Sequence, residues 1–72
     1  MKTLADLLPG EIGVAEAHGN ERLKRLGLVT GTEVMCIQKS PLGDPVAYRI
    51  RGTVFAIRKC DGEMIPLSEG GD

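Results

Sequence analysis

The chain has 72 residues, 42% of them hydrophobic, and its nine Lys and Arg against ten Asp and Glu give a formal net charge of -1. This length allows one small domain, which we expect over residues 1–68, with residues 69–72 as a flexible tail. A chain without excess positive charge has no general attraction for nucleic-acid phosphates. No apolar run approaches the roughly 20 residues that a membrane-spanning helix needs.

The cysteine count bears on the cellular compartment. Cys36 and Cys60 are the only two cysteines, fewer than small disulfide-built secreted domains usually carry. The first residues also lead into no long apolar segment of the kind found in signal peptides. We therefore expect reduced thiols and a cytoplasmic protein.

The first strong periodic pattern is NERLKRLGL at residues 20–28. Asn20 is a favoured N-cap residue, Leu23 and Leu26 lie three apart on one helical face, and Gly27 is a typical C-terminal stop. This predicts a short helix over about residues 20–27. Two turns are unstable alone in water, so the helix must pack on a sheet.

In the rest of the chain, turn residues separate short apolar runs, which is typical of a β protein. Five strands are predicted, at 12–17, 33–39, 46–51, 54–59 and 64–67. Gly52-Thr53 suits a two-residue type II′ hairpin. That turn pairs Ile50 with Phe55 and Tyr48 with Ile57. It places Val46 on the same inner face and the arginines Arg49, Arg51 and Arg58 on the outer face. The predicted fold is mainly β, a small, partly open barrel of about five strands with one short helix.

The stretch SPLGDP at residues 40–45 concentrates turn residues between two strands. Pro41 ends the preceding strand, and Pro45 keeps Asp44 out of helical geometry. Gly43 allows a positive φ, and the Asp44 carboxylate is expected to accept N–H bonds within the turn. These features predict a stiff hairpin tip.

Residues that could carry chemistry are sparse. His18 is the only histidine, neither Ser40 nor Ser68 lies in a glycine-rich elbow, and the phosphate-binding patterns GxxxxGK[ST] and GxGxxG are absent. Catalysis is therefore not expected.

Metal binding has only weak candidates. Cys36 lies in phase with Val34 in an apolar strand, so burial is the expected role for it. His18, Cys60 and Asp61 are the remaining candidate ligands, but structural zinc sites use four protein ligands. We expect no resident cofactor, although weak binding of Fe(II) or another divalent metal stays open.

Two basic groups could meet an acidic partner. Arg22, Lys24 and Arg25 lie on the predicted helix, and three arginines lie on the outer face of the hairpin. Solvated charge is the usual explanation for such faces. A small RNA-binding barrel is disfavoured, because such barrels stack bases on exposed aromatics and both Tyr48 and Phe55 are predicted to point inward.

The order of the segments resembles the FeoA family, the small ferrous iron transport protein A of bacteria. The resemblance rests on RLKRLGLVTG at 22–31, SPLGDP at 40–45 and AIRK at 56–59, and it covers about residues 4–67. It implies an SH3-like barrel and a cytosolic accessory role for FeoB, the GTP-dependent membrane transporter of Fe(II). The positions that match the motifs are Leu23, Leu26, Gly27, Leu28, Gly31, Pro41, Gly43, Asp44 and Pro45.

One feature departs from the family pattern. Family members commonly continue after the arginine with a short helical turn, whereas CDGEM at 60–64 contains a glycine that weakens helices. We therefore expect no well-formed second helix.

The leading hypothesis is a non-enzymatic interaction module that docks on FeoB through Arg22, Arg25, Leu26 and Leu42. Leu42 is included because an exposed leucine on a rigid turn is a suitable anchor for a pocket. The alternative is a carrier or sensor of Fe(II) or another divalent metal, using His18, Cys60 and Asp61. Neither direct membrane insertion nor nucleic-acid binding is expected.

Overall fold

A computed structural model describes residues 2–68, so the predicted tail at 69–72 lies outside the described residues. Its secondary structure consists of short elements. A 3-10 turn, strands β1 to β4 and helices α1 and α2 lie, in chain order, at Leu4–Asp6 (turn), Ile12–Val14 (β1), Glu21–Arg25 (α1), Glu33–Lys39 (β2), Val46–Ile50 (β3), Thr53–Ile57 (β4) and Lys59–Gly62 (α2).

The strands form one antiparallel sheet in the order β1-β2-β3-β4. Each strand pairs with the next one in the chain, so the sheet is a simple meander. The β2–β3 register shifts between Cys36 and Gln38. Such a bulge increases the local bend and twist of a strand, which helps a small sheet to curve around its core.

The two ends of the described chain lie beside each other, and the C-terminal end also pairs with the residue that follows β1. Isolated bridges join Thr3 to Pro66 and Ala15 to Leu67. Within the described chain there are therefore four strands rather than five, because the predicted strand at 64–67 forms only these bridges. A ladder is not completed there, since Pro66 has no N–H to donate.

The core lies inside the curved sheet and takes residues from every part of the chain. From the β3–β4 hairpin, Val46, Tyr48, Ile50 and Ile57 are buried as predicted, and Phe55 packs half-buried against them. The other buried apolar residues are Leu4, Leu7, Ala15, Leu23, Leu28, Val34, Cys36, Ile65 and Leu67.

The predicted register of the β3–β4 hairpin is wrong by two residues. Tyr48 pairs with Phe55 and Ile50 with Thr53, so Arg51 and Gly52 are the central turn residues. Both have positive φ, 52° and 84°, as a type I′ turn requires, and this turn matches the twist of the strands. A shift of two residues keeps each strand residue on its predicted face, so the inner set and Arg49 survive the error, whereas Arg51 lies in the turn and Arg58 follows β4.

The helices also differ from the prediction. Helix α1 begins after Asn20, whose side-chain oxygen accepts a hydrogen bond from the N–H of Leu23 at 3.1 Å. It ends at Arg25, within the predicted range. The second helix, α2, was not expected. It contains Gly62, which is buried, and a Cβ built there would lie 3.3 Å from the backbone nitrogen of Ala5. The close approach of this backbone favours glycine at that position.

Candidate docking surface

The β2–β3 turn projects Leu42 into solvent. The N–H of Gly43 donates to the carbonyl of Ser40 at 2.8 Å, which closes a tight turn with Pro41 and Leu42 at its centre. Gly43 has the predicted positive φ, 86°. Leu42 is 94% exposed, more than the other large apolar residues of the described chain. The hairpin tip therefore presents one apolar side chain on a constrained backbone.

Asp44 fixes the hairpin tip to α2. Its Oδ1 accepts a hydrogen bond from the N–H of Lys59 at 2.9 Å, across 15 positions of the chain. The prediction that this carboxylate bonds within its own turn is not supported by the described hydrogen bonds. Lys59 is the first residue of α2, where backbone N–H groups have no partner within the helix. Asp44 therefore acts as a helix cap supplied by a distant segment.

We expect Asp44→Ala to lower the free energy of unfolding by about 1 kcal/mol, because loss of a capping side chain typically costs that much. Asp44→Asn is the matched control, since its amide oxygen can still accept the bond, and it is expected to cost less. Urea unfolding followed by circular dichroism measures both. Equal losses for the two variants would contradict a capping role.

Helix α1 presents basic side chains outward while Leu23 packs into the core. Arg22 and Arg25 are exposed and Leu26 is half-buried at the C-cap. Lys24 pairs with Glu21 on the same helix at 3.4 Å. Among residues 2–68, Arg25 has no ion-pair partner. It is therefore available to an acidic group from outside the described chain.

Helix α2 connects the two parts of the predicted surface. Arg22 of α1 forms an ion pair with Asp61 of α2, and the hairpin tip is bonded to Lys59 of the same helix. We call the combined surface of Arg22, Arg25, Leu26, Leu42 and α2 the docking face. Sequence reasoning missed Lys59 and α2 because no local pattern signals a contact between segments far apart in the chain.

The three candidate metal ligands have other contacts or stand apart. His18 Nδ1 accepts from the N–H of Asn20 at 3.1 Å, and Nε2 lies 2.7 Å from the carbonyl oxygen of Leu28. In this arrangement Nδ1 is the acceptor and Nε2 is placed to donate. The Asp61 carboxylate pairs with Arg22, and Cys60 is exposed. Across residues 2–68, no three His, Cys, Asp or Glu side chains cluster closely enough to hold a metal ion.

Cys36 is buried in the core, as its strand position predicted. Burial raises the pKa of its thiol above the ordinary value, and the nearby Glu11 acts in the same direction. Since the thiolate is the form that binds metals and attacks electrophiles, this cysteine has a packing role.

Comparison with known families gives a direct result. A model of the FeoA domain matches residues 2–68. The chain belongs to the FeoA family. A search of curated protein sequences finds no match.

Solved structures of FeoA proteins share this fold. FeoA from Stenotrophomonas maltophilia, complexed with zinc, is 26% identical over 97% of this chain and 93% of its own, with a TM-score of 0.85. That protein is described as a prokaryotic SH3 domain protein and a candidate activating factor of ferrous iron transport. The predicted SH3-like fold is thereby confirmed.

Two further FeoA structures show the same likeness. FeoA from Chlorobium tepidum is 27% identical over 99% of this chain and 73% of its own, with a TM-score of 0.87. Iron(II) transport protein A from Clostridium thermocellum is 30% identical and has a TM-score of 0.87. This chain covers 97% of its own length there but only 47% of that protein.

The family motifs occupy defined places in this FeoA domain. Leu23 and Leu28 are buried on either side of the α1 C-terminus, and Gly27 has a φ of 102° between them. The PLGDP motif forms the hairpin tip and supplies the α2 cap. In the part of the chain that the structure describes, no helix is long and apolar enough to cross a membrane.

Proposed function

We propose that this protein is a non-enzymatic interaction module of ferrous iron uptake that docks in the cytoplasm on a FeoB-type GTPase transporter. The family supports the role in iron transport. The observation that carries the docking proposal is the continuity of the docking face, in which one short helix contacts both the basic helix and the hairpin tip.

The chemistry of the docking face suits a protein partner. Leu42 offers an apolar anchor, and anchors that fill a pocket contribute most of the energy in many interfaces. Arg25 offers a guanidinium for a carboxylate of the partner, and such pairs give geometric specificity. Because Asp44 holds the tip against α2, Leu42 loses little conformational freedom on binding.

We expect Leu42→Asp to weaken retention by membranes containing the transporter at least tenfold, because it places a charge in an apolar pocket and costs about 1.4 kcal/mol or more. The test is an anaerobic pull-down of tagged protein, repeated with each nucleotide state of the GTPase. The fold is expected to survive, since Leu42 is 94% exposed.

The matched control is Leu8→Asp, the same substitution at another exposed leucine that lies outside the docking face. It is expected to bind like the wild-type chain. Equal retention of wild type and Leu42→Asp would remove the hairpin tip from the interface, and no retention in any nucleotide state would overturn the docking proposal.

The alternative, a divalent-metal carrier or sensor, has less support. Its ligands would be His18, Cys60 and Asp61, and both nitrogens of the imidazole lie against backbone groups while the carboxylate pairs with Arg22. Binding a metal there would break these contacts first. The docking proposal leaves these contacts intact and uses only the Arg22–Asp61 pair among them.

A further inference from the structure

A second surface lies at the other end of the β2–β3 hairpin from Leu42. There the outer face of the sheet forms an open groove of about 460 Å³, bordered by the turn at 30–32 and the β3–β4 turn. Three of its side chains form one row across the sheet, because Ile12 pairs with Met35 and Met35 pairs with Arg49. Neighbouring strands lie about 4.8 Å apart, so the row spans roughly 10 Å.

The row begins with apolar side chains that face solvent. Ile12 is 56% exposed, and Met35 beside it is partly exposed. These residues point away from the core that Val34 and Ile50 fill on the opposite face of the sheet. A methionine side chain is flexible and can pack against apolar partners of different shape, which suits the base of a binding groove.

The other end of the groove is positively charged. Arg49 and Arg51 are both exposed, and within residues 2–68 neither forms an ion pair or a side-chain hydrogen bond. Glu33 is the acidic residue that lines the groove, so two guanidinium groups face one carboxylate. The groove therefore has an excess of positive charge although the whole chain has a net charge of -1.

The backbone and α1 hold Arg51 in this place. Its φ of 52° belongs to the tight β3–β4 turn. Its stem passes over the end of α1, where a Cβ built on Gly27 would lie 3.1 Å from the Arg51 Cδ. A side chain at Gly27 would therefore press on the arginine, and the glycine of the LGL motif leaves room for it.

We propose that this groove binds an extended peptide segment of a partner protein that carries a carboxylate within two or three residues of a large apolar side chain. The apolar side chain lies on Ile12 and Met35, and the carboxylate pairs with Arg49 and Arg51. The spacing follows from the row, since two to three extended residues span about 7–10 Å. Charge complementarity selects an acidic segment, because bidentate arginine–carboxylate pairs are strong and directional.

A nucleic acid is the less suitable occupant. Phosphates would also pair with arginines, but single-stranded nucleic acids are held largely by stacking on aromatic side chains. The two aromatic residues of this chain are Tyr48 and Phe55, and they lie on the inner side of the sheet. The groove offers Ile12 and Met35 instead.

This surface is separate from the hairpin tip of the docking face, and Arg51 borders the α1 end of that face. The groove lies at the Glu33 end of β2, and the hairpin tip follows Lys39 at the other end. The inference therefore does not depend on the proposed function, and each can fail without the other.

The test is a two-dimensional NMR titration of the full chain with a capped peptide, Ser-Asp-Ser-Leu-Ser, in which the two recognised side chains lie on the same side of an extended backbone. We expect shift changes at Ile12, Met35 and Arg49. Analogues with Asn for Asp or Ser for Leu are expected to bind at least about tenfold more weakly, since each loses one of the two contacts.

Two variants remove the charges without disturbing the fold. Arg49→Gln keeps a long polar side chain on the exposed face. Arg51→Asn creates the Asn-Gly pair that type I′ turns favour, so stability is expected to be maintained while the guanidinium is lost. Both are expected to weaken peptide binding at least about tenfold.

The matched control is Arg58→Gln, at an exposed arginine outside the groove, and it is expected to bind the peptide normally, as is Leu42→Asp. No shift change in the groove, or equal binding of the Asn analogue, would overturn the inference. Stronger shifts of the same residues with a short oligoribonucleotide would also overturn it in favour of a nucleic-acid surface.

Discussion

Leu23→Ala is expected to lower the free energy of unfolding by about 2–5 kcal/mol, the range found when a buried leucine is truncated. Leu23 is the buried residue of α1, and it holds that helix against the sheet. Small domains have total stabilities of only about 5–15 kcal/mol, so this change removes a large part. Urea unfolding followed by circular dichroism gives the value.

Leu42→Ala is the matched control, because it removes the same atoms from a side chain that is 94% exposed. Its stability is expected to stay within about 0.5 kcal/mol of the wild type. A loss below about 1 kcal/mol for Leu23→Ala would mean that α1 is not fixed by burial of this leucine. The pair therefore compares a leucine that packs in the core with a leucine of the hairpin tip that is free to bind a partner.

Raising the pH from 10 to 12 is expected to remove about 2 kcal/mol of stability through Tyr48. Burial is the main cause that raises the pKa of its phenol from 10.0 to about 12, and the charges of Cys36, Asp44 and Asp6 act in the same direction. Two pKa units correspond to about 2.7 kcal/mol in total, of which about 2 kcal/mol is lost between pH 10 and 12.

The sign of this effect follows from the ionised form. Below pH 10 the phenol is neutral in the folded and the unfolded chain, so its contribution to stability is fully present. Above pH 10 the unfolded chain ionises first, and stability falls until the pH passes 12. Since Tyr48 is the only tyrosine and the chain has no tryptophan, tyrosinate absorbance follows this one group while denaturant unfolding gives the free energy.

Tyr48→Phe provides the control. It loses the hydrogen bond that the hydroxyl donates to the carbonyl of Leu4 at 3.1 Å, which costs about 1 kcal/mol at neutral pH. Its stability is then expected to fall less than that of the wild type between pH 10 and 12. Ionisation of Tyr48 near pH 10 in the folded protein would show that the phenol is accessible to water.

The sequence was sufficient to predict which face of each hairpin strand lies inside. The face on which a strand residue lies depends only on whether its position is odd or even. The register error of two residues therefore left Tyr48 and Ile50 in the core. The turn itself was not predictable, because arginine is an uncommon residue in the left-handed region that Arg51 occupies. The type I′ geometry follows from strand twist, which is a property of the sheet.

The second helix was missed because its determinants are not local. Gly62 weakens a helix by propensity, yet here it is favoured by the close approach of Ala5 from the other end of the chain. The side chain that accepts a hydrogen bond from the first N–H of the same helix is that of Asp44. Tertiary contacts of this kind override propensity in short helices, whose stability comes mostly from packing.

The exposed residues of the candidate docking face were predictable from the sequence, but the contacts that join its segments were not. The motif spacing placed Leu42 on a turn and the arginines on a helix, and both positions are exposed. Neither the Arg22–Asp61 pair nor the Asp44–Lys59 bond could be read from the sequence, because both join segments far apart in the chain. Asp61 was considered only as a weak candidate metal ligand, since its pairing with Arg22 could not be predicted.

Lys2 and Leu67 are hydrogen-bonded neighbours, the N–H of the second donating to the carbonyl of the first at 2.9 Å. The chain therefore enters and leaves the described domain at almost the same point on its surface. A unit with adjacent entry and exit can be inserted into a loop of another protein, or joined in tandem, without pulling the host segments apart. This geometry makes the FeoA fold suitable for insertion into, or fusion with, larger chains.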